Sequence, residues 1–215
     1  MVVQSQIDAF CRLTRVSRET ISSLAKYEKI LKSYNKNLNL IGKSTLNDIW
    51  HRHFLDSFQL IDFIDKNYKT AVDIGSGAGF PGLVVAIAAK DRNYALKVDL
   101  IEKSPKKAKF LKEIISELQL NANVVVEDAF KKSFHLNEEV IMARAFKPIK
   151  IILELIHNKA KNWKKIIIFL GKSGKSELLQ ASKSWDIEYK QTISITSKDS
   201  LIIEINSLKK KNIEQ

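Results

Sequence analysis

The sequence predicts an α/β fold: a mostly parallel seven-stranded sheet with helices on both faces and a helical N-terminal extension. Three observations predict it. From Thr70 onward, short apolar runs alternate with helical patterns, the order that builds βαβ units. Four of the seven glycines fall in one stretch, VDIGSGAGFPG at 72–82, between an expected strand and an expected helix, where open α/β sheets bind ligands. A chain of 215 residues, 45% apolar and 28% charged, is long enough for one domain with a sizeable core and a small extension.

Each element follows from local pattern. Ser17 is placed to cap a helix in which Ile21, Leu24, Tyr27, Leu31 and Tyr34 recur at helical spacing. Asn35, Asn37, Asn39 and Gly42 end that pattern. A second helix is expected from Thr45, with Asp48 three residues on as a capping-box partner. Its apolar stripe runs through Leu46, Ile49, Trp50, Phe54, Phe58 and Ile61. TAVDIG reads as a buried strand, and FPGLVVAIAAK as a helix with Pro81 in its first turn. KVDLIE is a strand; Ser104-Pro105 reads as an N-cap and first helical residue, opening a helix to about Leu120. NVVVE and VIMAR are strand-like, residues 148–159 helical, KIIIFL a continuous apolar strand and SELLQAS a short helix. WDIEYKQ and SLIIEI read as a closing hairpin, an antiparallel edge. The expected units are a helical segment at 1–68 packed on the core, a ligand-binding domain at 69–207 and a solvated basic tail at 208–215.

Lys plus Arg number 36 against 24 for Asp plus Glu, a formal charge of +12. Such a balance favours polyanions, although lysine-rich composition alone gives the same total. No apolar run approaches the roughly 18–20 residues that span a bilayer. The N-terminus lacks a signal-peptide pattern. Cys11 is the only cysteine, which excludes an internal disulfide and a multi-cysteine metal site. A cytoplasmic location is expected.

Average usage would give about fifteen glycines in this length, so their concentration in one loop asks for a ligand. A phosphate-cradling P-loop ends Gly-Lys-Ser/Thr; this one ends Gly-Phe-Pro-Gly. The dinucleotide pattern G-x-G-x-x-G, begun at Gly75, ends on Phe80, where close packing wants Gly or Ala. Begun at Gly77, it is met by Gly77, Gly79 and Gly82, which keeps a nicotinamide cofactor as a rival reading. A third pattern also fits, Asp73-Ile74-Gly75-Ser76-Gly77-Ala78-Gly79. It resembles the first motif of S-adenosylmethionine-dependent methyltransferases of the Rossmann-like class. That cofactor has an ammonium, a carboxylate, a sulfonium and a ribose, and no phosphate. Asp73 is suited to attract the ammonium, bare backbone at Gly75, Gly77 and Gly79 to approach the methionine portion, and Glu102 to accept both ribose hydroxyls.

Further stretches narrow the resemblance. NLNLIG at 37–42, RHFLDS at 52–57, DIGSGAGFPG at 73–82, ARAF at 143–146 and FLGK at 169–172 together resemble the glucose-inhibited division protein B family, over residues 20 to 206. These are bacterial methyltransferases that modify N7 of a guanine in small-subunit (16S) ribosomal RNA. The resemblance implies that Gly75 and Phe80 line the cofactor pocket and that Arg144 stands at its cofactor and substrate side. The family's Ser-Arg-Ala-Phe begins here with Ala143. Its Ala-Glu pair near the adenine is Ala129-Phe130, preceded by Asp128. Its Leu-Lys-Gly is transposed to Leu170-Gly171-Lys172. The cofactor-binding residues so expected are Asp73, Gly75, Gly77, Gly79, Phe80, Glu102, Asp128, Ala129, Phe130 and Arg144. Arg144 is also the expected catalytic residue, for the base or its phosphate, and Arg52 and Lys172 are expected at the RNA. The partner implied is 16S ribosomal RNA or the small subunit, met by a monomer without metal or membrane.

Other readings of the same residues are weaker. His51 and His53 point to different faces of a helix, against joint metal ligation. His53, Asp56 and Ser57 lie too close on one helix to leave an oxyanion site, against a hydrolase triad. RHFLDS closes the cofactor pocket or packs there. Lys103, Lys106, Lys107 and Lys109 open a helix against its dipole, which suits an external anion or a solvated face. Trp50, Trp163 and Trp185 read as packing. Two rival functions fit the same sheet: a nicotinamide-dependent oxidoreductase, and a non-catalytic RNA-binding assembly factor.

Overall fold

The structure, a computed structural model, describes residues 2–211. Seven strands form one sheet: β1 (Thr70–Ile74), β2 (Lys97–Ile101), β3 (Ala122–Val125), β4 (Val140–Arg144), β5 (Lys165–Leu170), β6 (Trp185–Ile193) and β7 (Leu201–Lys210). Their order is β3-β2-β1-β4-β5-β7-β6. The first five run parallel, and β7 enters antiparallel between β5 and β6. The order turns back at β1 and β4, which opens a crevice beyond their carboxyl ends.

Alternation along the strands explains why both faces are covered. In β1, Ala71 packs into one apolar cluster while Val72 and Ile74 enter the other. In β4, Val140 and Met142 face the first, and Ile141 and Ala143 the second. The first cluster takes in α4 (Gly82–Asp91), α5 (Pro105–Leu118) and the N-terminal helices α1 (Val2–Thr14) and α2 (Arg18–Leu38); the second takes in α6 (Ile149–Lys159) and α7 (Gly174–Ala181). Trp50 and Trp185 are fully buried. No described helix is long and apolar enough to cross a membrane.

The caps expected at Ser17 and Ser104 are present: their hydroxyls accept from the N–H groups of Thr20 and Lys107. Three boundaries differ. Residues 43–45 form a separate 3₁₀ turn, and the helical run after it begins at Ile49. That run is a π-helical stretch (Trp50–Leu55), an α turn, α3 (Asp56–Phe58), and a 3₁₀ stretch (Gln59–Phe63). Pro81 is the N-cap of α4 rather than part of its first turn. Strand β7 continues through Lys210, so residues 208–210 pair with β6 where a solvated tail was expected. Residues 212–215 lie outside the described residues.

Candidate active site

The glycine loop crosses the crevice at the end of β1. Gly75 and Ser76 N–H groups donate to the Ile101 carbonyl at 2.9 and 3.0 Å, tying the loop to β2. Gly75, Gly77 and Gly79 all have positive φ, which glycine alone adopts without strain. They differ in what presses on them. A Cβ at Gly75 would come within 2.2 Å of the Phe146 ring, and one at Gly79 within 2.4 Å of Leu83 and 2.6 Å of the Tyr27 hydroxyl. At Gly77 the nearest atom is 3.9 Å away. So packing leaves no room for a side chain at Gly75 or Gly79, whereas Gly77 faces open space.

The loop forms one wall of a cavity of about 550 Å³ lined by Gly75, Gly77, Phe80, Glu102, Asp128, Ala129, Phe130 and Arg144. Eight of the expected residues therefore meet in one place. Glu102 is nearly buried, and its two oxygens accept from Gly77 N–H at 3.0 Å and Ser104 N–H at 2.7 Å. Each carboxylate oxygen has a second acceptor site, so a backbone-fixed acceptor is ready for hydroxyl donors. That arrangement fits S-adenosylmethionine, whose ribose needs two acceptors and whose methionine end needs bare peptide. Lys103 and Lys107 stand at the same cavity.

Asp73 and Gly79 do not line the cavity. Asp73 is buried beneath the loop; its Oδ2 accepts from Gly82 N–H at 3.0 Å, and its Oδ1 has no partner among the described residues. Burial raises its pKa to about 7, against the pull of Gly82, Ser76 and Arg144. Lys172 is exposed and lines neither this cavity nor its neighbour of about 400 Å³. That neighbour shares Arg144, Ala145, Phe146 and Lys147 with the first and is lined further by Asp56, Phe169 and Glu177.

Arg144 separates the two cavities and is firmly held. Its Nη2 lies 2.9 Å from Asp56 Oδ2 and donates to the Arg52 carbonyl at 2.7 Å, and its Nη1 donates to Ser57 Oγ at 3.2 Å. At the end of the π-helical stretch the Asp56 N–H bonds to the His53 carbonyl, and the Arg52 carbonyl accepts from the guanidinium. Arg52 thus contributes its backbone, while its side chain is exposed. His53 lines the cavity, stacks on Phe80 with centroids 4.8 Å apart, and meets Thr45 Oγ1 at 3.0 Å. Burial, then Arg144 and Arg52, lowers its pKa to about 3.

Sequence reasoning did not find the partners of Asp56. Its Oδ1 accepts from Ser194 Oγ and Thr196 Oγ1 at 2.6 Å each, and from Gln59 Nε2 at 3.1 Å. Ser194 and Thr196 sit between β6 and β7 and carry no motif. The carboxylate in RHFLDS was the available signal, since a buried acid needs donors.

Comparison with known proteins adds to this geometry. A family model described as rRNA small subunit methyltransferase G matches residues 20–205. The ribosomal RNA small subunit methyltransferase G of Pelagibacter ubique (strain HTCC1062) is 39% identical over 199 residues, covering 92% of this chain and 93% of that protein. The protein of the same name from Rickettsia akari (strain Hartford) is 35% identical over 195 residues, covering 91% and 98%. Among solved structures, the 16S rRNA methylase RmtB superimposes with a TM-score of 0.55 at 14% identity, over 89% of this chain and 75% of that one. TrmK of M. capricolum, in complex with S-adenosyl-homocysteine, gives 0.53 at 18% identity, over 74% and 70%. At these identities the two structures share the fold.

Proposed function

The chain belongs to the rRNA small subunit methyltransferase G family, and we propose that it methylates N7 of a guanine in 16S ribosomal RNA, with S-adenosylmethionine as methyl donor. The observation that carries the reading is the Glu102–Gly77 cradle at the end of β1 and β2, opening onto the same cavity as Arg144.

When bound, the cofactor supplies a methyl group already activated by a positive sulfur. The protein's part is to bind, orient and exclude water. Glu102 holds the ribose hydroxyls, Gly75 and Gly77 the methionine end, and Asp128, Ala129 and Phe130 the adenine side. Asp73 contributes negative charge from beneath the loop. Arg144 orients the base or its phosphate. Guanine N7 carries an in-plane lone pair and no proton, so transfer to it requires no strong base. His53, held neutral with a pKa near 3, is too weak to act as one, in agreement with such an acceptor. The A-form major groove is too deep for side chains, so the target base must lie in a loop or be unstacked. The reading extends to a monomer working in the cytoplasm, in keeping with one cysteine in a strongly basic chain.

The test is transfer of tritiated methyl from S-adenosylmethionine to 16S RNA from a strain lacking the modification, followed by mapping of the labelled nucleotide. Label at guanine N7 is expected. RNA binding without transfer would instead indicate an assembly factor, and calorimetric binding of NAD in place of S-adenosylmethionine an oxidoreductase.

A further inference from the structure

Two large apolar side chains stand out of the surface close to the cofactor cavity: Phe130 is 44% exposed and Ile151 42%. They border a groove of about 390 Å³ that also includes Lys150, Leu155, Asn158 and Lys159. Phe130 lines both the groove and the cavity. One face of its ring stacks on Phe146, with centroids 5.8 Å apart and planes at 16°. Phe146 in turn lines the cavities on either side of Arg144. The two rings form an aromatic shelf that runs from the Arg144 site outward to the groove.

The groove is fixed in shape. The Phe130 N–H donates to Asp128 Oδ1 at 2.9 Å. Lys159 Nζ donates to the carbonyls of Lys131 and Lys132 at 3.0 and 2.8 Å, clamping that loop onto α6. Its charge is one-sided. Glu154, the acid in the groove, is taken by Lys210 at 3.0 and 3.1 Å. Lys150 in the groove, and Lys107 and Lys147 at the adjoining cavity, have no acidic partner among the described residues. An exposed ring with an aliphatic edge, with Lys150 beside it in the groove and Lys147 at the adjoining cavity, suits a base and its phosphates. The core of a protein interface is instead depleted of lysine.

We propose that this groove binds the single-stranded RNA next to the target guanine, with one base laid on the free face of Phe130 against Ile151, and phosphates near Lys147 and Lys150. The proposal rests on the reading of the chain as an rRNA methyltransferase. Stacking is indifferent to base identity, so the groove contributes affinity and alignment, and sequence choice stays with the cavity.

The test uses the full chain and two variants, Lys150→Glu and Ile151→Ser. Binding of a fluorescein-labelled single-stranded segment of 16S RNA is measured by anisotropy, and S-adenosylmethionine binding by calorimetry. Each variant is expected to weaken RNA binding about tenfold and to raise the KM for RNA with little change in kcat. Cofactor affinity stays within about twofold, and Lys150→Glu lowers the salt slope by about one. Unchanged RNA affinity in both variants would overturn the proposal. So would parallel loss of cofactor and RNA binding in Ile151→Ser, which would give the groove's apolar edge to the cofactor. RNA affinity retained while binding to the intact small subunit is lost would assign the groove to a ribosomal protein and overturn it as well. Absence of methyl transfer by the unaltered chain would defeat the functional reading alone; the RNA-binding arms still decide the groove.

Discussion

Arg144 and Asp56 form an ion pair at 2.9 Å with little solvent on either side. Through it, the end of β4, the π-helical stretch and the loop between β6 and β7 meet at one carboxylate. The arginine expected to work on the substrate is therefore positioned by an acid that touches neither cofactor nor base in the reading above.

Asp56→Ala leaves Arg144, Ser194 and Thr196 without their shared acceptor. Breaking a buried pair in this way costs about 3 kcal/mol, which urea denaturation will show. Asp56→Asn keeps an acceptor for the hydroxyls and is expected to recover part of the stability, with less recovery of methyl transfer. A loss under about 1 kcal/mol in the alanine variant would reduce the pair to the value of a surface contact.

Arg144→Ala is expected to lower methyl transfer by on the order of 10²-fold and to change calorimetric cofactor affinity only a few fold. Equal loss of both would place Arg144 in the cofactor site.

Gly77→Ala and Gly75→Ala separate two uses of glycine. Each forces a side chain to positive φ, at about 1–2 kcal/mol. At Gly77 the added methyl meets nothing within 3.9 Å, so the expected result is that strain together with weaker cofactor binding. At Gly75 it strikes Phe146, adding about 1–3 kcal/mol of overpacking. The double variant Gly75→Ala/Phe146→Ala should recover stability relative to the sum of the singles, as thermal unfolding would reveal.

Asp73 predicts a pH dependence. Its folded pKa of about 7 lies above the ordinary carboxyl value of 3.8, so between those pH values the native state holds a proton that the unfolded chain has released. Its contribution to stability accordingly falls as pH rises through that window, and Asp73→Asn should remove that slope. A cation bound nearby favours the ionised form. Cofactor binding is thus expected to strengthen as pH rises toward 7 and to release a proton below it. Calorimetry in two buffers of different ionisation heat reads that proton, and its persistence in Asp73→Asn would rule Asp73 out.

Much of this was legible in the chain because it is local. Alternating apolar runs located the strands, Ser17 and Ser104 announced their helices, and the loop at 72–82 with Glu102 marked the cavity. What escaped depends on distance or on depth. Asp56 meets Ser194 and Thr196 across more than 130 residues, and no periodicity links them. The π-helical stretch has the same apolar stripe as an ordinary helix, so the contact of the Arg52 carbonyl with Arg144 leaves no trace in composition. Asp73 was expected to face the ligand directly, but a strand-end carboxylate can turn toward its own helix, and here Gly82 N–H draws it under the loop. Lys172 follows a transposed motif and ends on open surface.

The placement of Ser194 and Thr196 late in the sequence has a consequence for how the protein comes into being. A chain made from its N-terminus will have built the glycine loop and Glu102 long before these hydroxyls leave the ribosome. Arg144 reaches its final setting only once the last hairpin has threaded β7 between β5 and β6. A nascent or truncated protein ending before that hairpin would carry the residues of the methionine-nucleoside site and Arg144, but its Asp56 would lack the Ser194 and Thr196 hydroxyls that hold it.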